Sequence, residues 1–243
     1  VLAERLQTAI RLIYPPACLA CGGRVDSDFG LCGPCWTETP FITGLVCDAC
    51  GTPLPGEGDR DRALCDTCLR VARPWARGRA AMLYSGSARR MVLALKHGDR
   101  HDIARPGADW LARSAAPLLT PDTVIVPVPL HTLRLLRRRY NQSALLALAL
   151  GRQTGCTVLA DALVRTARTP SLDGKTREER FAALDGTIRV TRSRRDRIAG
   201  RPVLIVDDVM TSGATFAAAT EAMHEAGATE VCVAALARVG KDA

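Results

Sequence analysis

The chain has 243 residues, 47% apolar and only 4% aromatic, with a formal net charge of +8 and a pI of about 9.2. That length allows one or two domains with a substantial core, and no apolar run comes near the roughly 18 residues a membrane-spanning helix needs. The charge rests almost wholly on arginine, with lysine only at 96, 175 and 241, and it favours anionic company: a nucleic acid or a diphosphate-bearing small molecule.

Residues 1–13 place charges among apolar residues at helical spacing, which predicts an amphipathic helix rather than a secretory leader and a cytoplasmic setting. Eight of the ten cysteines then form four C-x-x-C pairs: Cys18/Cys21, Cys32/Cys35, Cys47/Cys50 and Cys65/Cys68. A thioredoxin-like redox site needs one such pair beside a βαβ unit, not four in a stretch punctuated by Gly and Pro. A disulfide framework needs an oxidising compartment, for which the sequence carries no signal. Two thiolates three positions apart can share one tetrahedral ion, so the pattern predicts two structural Zn²⁺ sites of four cysteines each. Cys18-Leu-Ala-Cys21-Gly22 and Cys47-Asp-Ala-Cys50-Gly51 share an opening pattern that Cys32-Gly-Pro-Cys35 and Cys65-Asp-Thr-Cys68 lack. This repeat favours sequential pairing, 18/21/32/35 and 47/50/65/68, over the cross-braced 18/21/47/50 with 32/35/65/68. With few apolar residues to bury, the segment is expected to need metal to fold. Cys156 and Cys232 lie in apolar surroundings and read as core residues.

The stretch from Leu69 to Gly78, with Pro74 and Trp75, reads as a boundary, giving predicted domains of 1–72 and 73–243. A strand is predicted over 79–84, then helices over 87–96 and 101–117. Lys96 closes the first helix, either as an anion ligand or as a C-terminal helix charge. Thr123 to Val126 is a buried strand stopped by Pro127 and Pro129, followed by His131 and the cluster Arg134 to Arg139. Asn141 caps an Ala/Leu helix that ends near Gly151 or Gly155. A strand near 157–164, an irregular basic segment over 165–186, a second arginine cluster over 189–201, a strand over 202–206, a helix over 214–226 and a strand over 229–237 complete the chain. Strands alternating with helices imply an α/β domain with a mainly parallel sheet.

Val203-Leu-Ile-Val-Asp207-Asp208-Val-Met-Thr211-Ser212-Gly213-Ala214-Thr215 carries the chemistry. A buried apolar strand delivers two carboxylates, then hydroxyls and a Gly, to the start of a helix. Such a layout places acids and unpaired backbone N–H groups in the crevice at the carboxyl end of a sheet, where open α/β folds bind ligands. The N–H groups suit a phosphate and the carboxylates suit sugar hydroxyls or a metal ion. Together they describe a pocket for a sugar phosphate.

The same string resembles the 5-phosphoribosyl-1-pyrophosphate (PRPP) motif of type I phosphoribosyltransferases. Four zinc-spaced pairs, Val126-Pro-Val-Pro-Leu-His131, Tyr140-Asn-Gln142 and Val203 to Thr215, in that order, resemble the ComF competence family over nearly the full length. That resemblance implies a small four-cysteine double zinc ribbon followed by an α/β type I phosphoribosyltransferase-like domain with a mainly parallel sheet. It implies that Asp207 and Asp208 hold the ribose hydroxyls, that Thr211, Ser212, Gly213, Ala214 and Thr215 wrap the 5′-phosphate, and that Val126, Pro127, Val128 and Pro129 face the pyrophosphate. Arg168, Lys175, Arg177 and Arg180 fall on the family's mobile basic loop, and Mg²⁺ accompanies PRPP. Family members commonly carry Gln at Leu172 and Asn at Ala183, and the loss of these two amides bears on turnover more than on PRPP binding; they also often have Gly at Arg139. Two functions follow: a phosphoribosyltransferase with no assigned acceptor or catalytic residue, linked to DNA uptake, or a non-catalytic nucleic-acid-binding competence protein with a vestigial or regulatory PRPP pocket. Single-stranded DNA and other competence proteins are the partners this implies. Salt dependence separates the two.

Overall fold

The computed structural model describes residues 15–56, 62–131, 139–166, 176–184 and 186–240, and only the backbone of Arg177, Glu178 and Arg180. The helix predicted over 1–13 lies outside the described residues. In chain order the cysteine region holds two short helices, α1 (Gly33–Glu38) and α2 (Asp66–Arg70), each starting just after the third cysteine of a set of four. The main sheet begins with β1 (Gly78–Leu83), followed by α3 (Gly86–His97), α4 (Ala104–Ala115), β2 (Val124–Pro127), α5 (Gln142–Thr154) and β3 (Thr157–Val158). Then come β4 (Leu163–Arg165), α6 (Arg177–Ala182), β5 (Ile188–Val190), α7 (Arg195–Ile198), β6 (Pro202–Met210), α8 (Ala214–Glu225) and β7 (Glu230–Arg238).

Five strands form one sheet in the order β1-β7-β6-β2-β3, and every neighbouring pair is parallel. Side chains alternate between its faces. On β6, Leu204 and Val206 join Met91, Leu95, Leu111, Leu146 and Leu150 of the α3–α5 layer. Val203 and Ile205 point the other way, to Phe216 and Met223 of α8. The result is helix, sheet and helix in three layers, the arrangement that lets a parallel sheet bury both faces. Cys156 and Cys232 are buried in the core as expected.

Three expectations shift. The strand expected near 157–164 is two pieces: β3 in the main sheet, and β4, which pairs antiparallel with β5 in a separate hairpin. The helix expected over 101–117 opens and closes with 3₁₀ turns, at His101–Ile103 and Ala116–Leu118. The strand over 202–206 continues to Met210, because β7 is equally long and pairs with it through Asp207↔Ala235 and Met210↔Arg238. The diacid therefore lies within the strand's carboxyl end rather than after it.

Candidate functional site

Strands β2 and β6 are neighbours, but the chain leaves them in opposite directions. From β2 it runs through α5 to β3 on one edge, and from β6 through α8 to β7 toward the other. The two connecting helices pack in different hydrophobic clusters on opposite faces. This is a topological switch point, where the loops splay apart and leave a crevice beyond the strand ends. Pro127 at the end of β2 and Asp207 and Asp208 near the end of β6 lie at this edge of the sheet, and residues 211–215 follow directly.

Asp207 Oδ1 accepts the Ser143 hydroxyl at 2.7 Å and the Asp208 N–H at 2.8 Å. Asp208 Oδ1 is 3.1 Å from Lys96 Nζ at the end of α3. Its other oxygen, Oδ2, is buried and has no protein donor, an arrangement that a hydroxyl donor would relieve. Burial, reinforced by the neighbouring Asp208 charge, pushes the Asp207 carboxyl up to about 7. Burial would lower the Lys96 ammonium, but the charges of Asp208 and Asp207 outweigh it and hold it above its ordinary value. Lys96 is thus a partner of the diacid rather than a solvated helix charge.

After the diacid, Thr211 is exposed and Ser212 and Thr215 are half-buried, so the turn reaches the surface. Gly213 sits at φ +85, the left-handed region that glycine tolerates, and it precedes the first residue of α8. The first turn of a helix has N–H groups with no intrahelical acceptor, and the helix dipole adds to their pull on an anion.

The backbone of the Val-Pro-Val-Pro segment is tied to its neighbours. Pro127 and Pro129 have no N–H, the Val128 N–H donates to Val206 O at 2.9 Å, and the Val128 carbonyl accepts Asn141 Nδ2 at 3.0 Å. Val126 to Pro129 are all buried. The segment fixes Asn141, whose Oδ1 caps α5 through the Ser143 and Ala144 N–H groups, and α5 in turn holds Ser143 against Asp207. Tyr140 steadies the same corner by donating to Leu95 O at 2.6 Å. Arg139 stands at φ +65, a left-handed backbone that strains a side chain with a Cβ.

Arg168, Lys175 and Leu172 lie outside the described residues. In the described residues, β4 and β5 pair through Arg165↔Ile188. Arg177 and Arg180 fall on α6, which opens with a Thr176/Glu179 capping box. Phe181 and Ala182 of that helix line a small cavity with Ala214 and Ala217 at the start of α8. Ala183 caps α6. Of the second arginine cluster, Arg194 is held by Asp161 and Arg201 by the Asp122 carbonyl. Arg189, Arg192 and Arg195 line a cavity together with Asp196, Glu221 and Glu225, which leaves little net charge there.

The cysteines cluster as Cys18, Cys21, Cys32 and Cys35 and as Cys47, Cys50, Cys65 and Cys68, each set with its sulfurs within 4.8 Å of one another. Sγ–Sγ separations of 3.7 Å occur for Cys21/Cys32 and Cys50/Cys65. Tetrahedral Zn–S bonds of about 2.3 Å put sulfurs about 3.8 Å apart, so both sets fit zinc, in the sequential pairing. Ser143, and Arg73 and Trp75, which lie against Ser212 and Gly213, are not singled out by the sequence. Ser143 directly follows the Tyr140-Asn-Gln142 motif, which was the available signal; nothing local marks Arg73 or Trp75.

A double zinc ribbon domain model matches residues 9–69, and a phosphoribosyl transferase domain model matches residues 137–243. The chain is 31% identical over 216 residues to the DNA utilization protein YhgH of Escherichia coli, covering 86% of this chain and 91% of that protein. It is 27% identical over 228 residues to competence protein F of Haemophilus influenzae, covering 91% of this chain and 96% of that protein. Among solved structures, glutamine phosphoribosylpyrophosphate amidotransferase from B. subtilis matches 58% of this chain and 30% of its own, at 19% identity and a TM-score of 0.40. With the relatives matched almost end to end and both domain models in the same order, the chain belongs to the ComF family of double zinc ribbon proteins with a phosphoribosyltransferase-type fold.

Proposed function

We propose that the crevice between β2 and β6 binds PRPP, with the ribose hydroxyls on Asp207 and Asp208 and the 5′-phosphate on Thr211 to Thr215. The observation that carries this reading is the juxtaposition of a braced carboxylate pair with an open, glycine-started helix turn at a topological switch point. Mg²⁺ suits the diphosphate, since it prefers phosphate oxygens and water to an all-protein cage. Arg177, Arg180, Arg168 and Lys175 are assigned to cover the diphosphate. The two cysteine sets hold structural zinc, since four thiolates leave no open position. If the chain turns PRPP over, the C1′–O bond breaks with its electron pair leaving on pyrophosphate while an acceptor lone pair bonds C1′. The protein's share is then positioning and charge stabilisation, and no residue is assigned as general base. A thermal-shift titration with PRPP and Mg²⁺ tests the reading: the wild-type chain is stabilised, and Asp207→Ala with Asp208→Ala abolishes the shift. An unchanged shift in the double variant rejects the site.

A second reading, single-stranded DNA handling, has its own observation. A groove of about 1330 Å³ between the second cysteine set and the sheet is lined, among the described residues, by Arg62, Arg73, Arg77 and Arg79 and by Asp48 and Glu230. The relatives' names, DNA utilization protein and competence protein F, point the same way. Affinity for an oligonucleotide that falls steeply with salt supports it; no binding at low salt removes it. Other competence proteins are the further partners this reading implies, in a cytoplasmic setting.

A further inference from the structure

We infer that Arg73 and Trp75, in the linker behind the second cysteine set, are positioning residues that hold the phosphate turn, so that this zinc module sets the affinity of the PRPP site. The inference rests on the reading of residues 207–215 as that site. Arg73 Nη1 donates to the Ser212 carbonyl at 2.8 Å, across 139 residues of sequence. Nε of the same guanidinium lies 3.5 Å from the sulfur of Cys68, and the group stacks 5.3 Å from the Trp75 ring centre. A zinc centre of four thiolates is net negative, so it favours the guanidinium where it stands.

Trp75 is 3% exposed. Its Nε1 donates at 2.6 Å to the carbonyl of Ala49, between Cys47 and Cys50, and its ring meets Phe216 of α8 edge-on at 6.2 Å. A Cβ added to Gly213 would lie 2.8 Å from the Trp75 ring and 3.2 Å from Arg73 Nη1. The indole therefore occupies the space behind the one residue whose left-handed backbone shapes the turn. On the next strand, Arg238 Nη1 bridges the Cys50 carbonyl and Met210 Sδ, each at 3.0 Å, tying the same module to the end of β6.

The consequence for the site follows from peptide geometry. In a planar trans peptide the carbonyl and the following N–H point in opposite directions. With the Ser212 carbonyl held by Arg73, the Gly213 N–H faces away from the zinc module. Without that anchor, the peptide is free to turn its carbonyl dipole toward the ligand, which repels a phosphate. Pre-setting this peptide removes an ordering cost at binding. Arg73 need not touch PRPP to do so.

Calorimetric titration of the full zinc-loaded chain with PRPP and Mg²⁺ tests this, with zinc content measured on each sample. Arg73→Ala is expected to keep both metal equivalents and bind PRPP about tenfold more weakly, the effect of losing one hydrogen-bonded anchor. Arg73→Lys should recover part of the affinity, because an ammonium can still reach the Ser212 carbonyl. Arg90→Ala, which removes a comparable arginine contact beside the first cysteine set, should leave PRPP binding unchanged. Wild-type affinity in Arg73→Ala, or an equal loss in Arg90→Ala, overturns the inference. If the alanine variant does not fold, Arg73→Lys and Trp75→Phe decide it, intermediate affinity supporting it and wild-type affinity rejecting it. Absence of PRPP binding in the wild-type chain instead rejects the site reading itself.

Discussion

The two cysteine modules share an opening pattern and a short closing helix, yet they are joined to the rest of the chain in different ways. The first sits beside the α3–α4 layer: Leu19 is buried there, Glu38 takes hydrogen bonds from Ser87 and Arg90, and Phe41 packs between Trp36 and Trp110. Its Cys21 is exposed and its Cys32 half-exposed. Backbone bonds from Ile42 to Ala81 and from Leu83 to Pro40 also cover the outer edge of β1, which would otherwise be an open strand edge. The second module has all four cysteines buried in the cluster that includes β6 and α8. Asp48 is gripped by Arg77 and Arg79, and Arg73, Trp75 and Arg238 run from its cysteine loops to the phosphate turn. A repeated cysteine knuckle can thus serve as a peripheral cover in one copy and pack against the 211–215 turn in the other.

The largest expected effect comes from removing a ligand from each module in turn. Cys65→Ser should lose one of two zinc equivalents, lower stability by roughly 3 kcal/mol or more, and eliminate the PRPP thermal shift. Cys21→Ser should lose the other equivalent and retain the shift. Equal loss of PRPP binding in both variants would erase the distinction. Metal analysis combined with thermal denaturation reads both.

Next come two ion pairs. Lys96→Met strands Asp208, whose side chain is only 4% exposed, so we expect about 3–5 kcal/mol of lost stability. Glu38→Gln breaks the solvent-screened pair with Arg90, and chemical denaturation should show little change in the midpoint. Two glycines give a smaller contrast. Gly22 (φ +76) and Gly51 (φ +69) both need left-handed backbone, but a Cβ at Gly22 meets open space whereas at Gly51 it lies 2.7 Å from Ala80 N of β1. Gly22→Ala should therefore cost about 1 kcal/mol, from strain alone, and Gly51→Ala about 3 kcal/mol as the module is pushed off the sheet.

A pH dependence is expected as well. The folded-state value of Asp207, about 7, is raised above that of an unfolded aspartate, about 3.9. Between those values the native chain holds a proton that the unfolded chain has released, so this group makes stability fall as pH rises through that window. Sugar hydroxyls need the ionised carboxylate as acceptor, so PRPP affinity should climb from pH 6 to about pH 8. Asp207→Asn should flatten the climb; an identical profile in that variant would remove Asp207 from the contact.

Much of this was legible in the sequence because it is written in local periods. The C-x-x-C repeats gave the sequential cysteine sets, the apolar run before Asp207 gave a buried strand, and Asn141 and Gly155 gave the two ends of α5. What was not legible depends on partners far along the chain. The extension of β6 to Met210 is set by the length of β7, and the role of Lys96 by its placement beside Asp208 across more than a hundred residues. The bonding of Val128 likewise depends on distant partners, its N–H donating to Val206 and its carbonyl accepting from Asn141. Arg73 and Trp75 carry no local pattern, and only the docking of the second module on the turn gives them a role.

A crystal structure of the chain grown with PRPP and Mg²⁺ tests the central claim most directly. The account predicts the ribose hydroxyls within hydrogen-bonding distance of Asp207 and Asp208 and the 5′-phosphate against residues 211–215, with the Ser212 carbonyl still on Arg73. PRPP bound elsewhere, or a diacid that keeps only Lys96 and Ser143 while the ligand occupies another cleft, would contradict it.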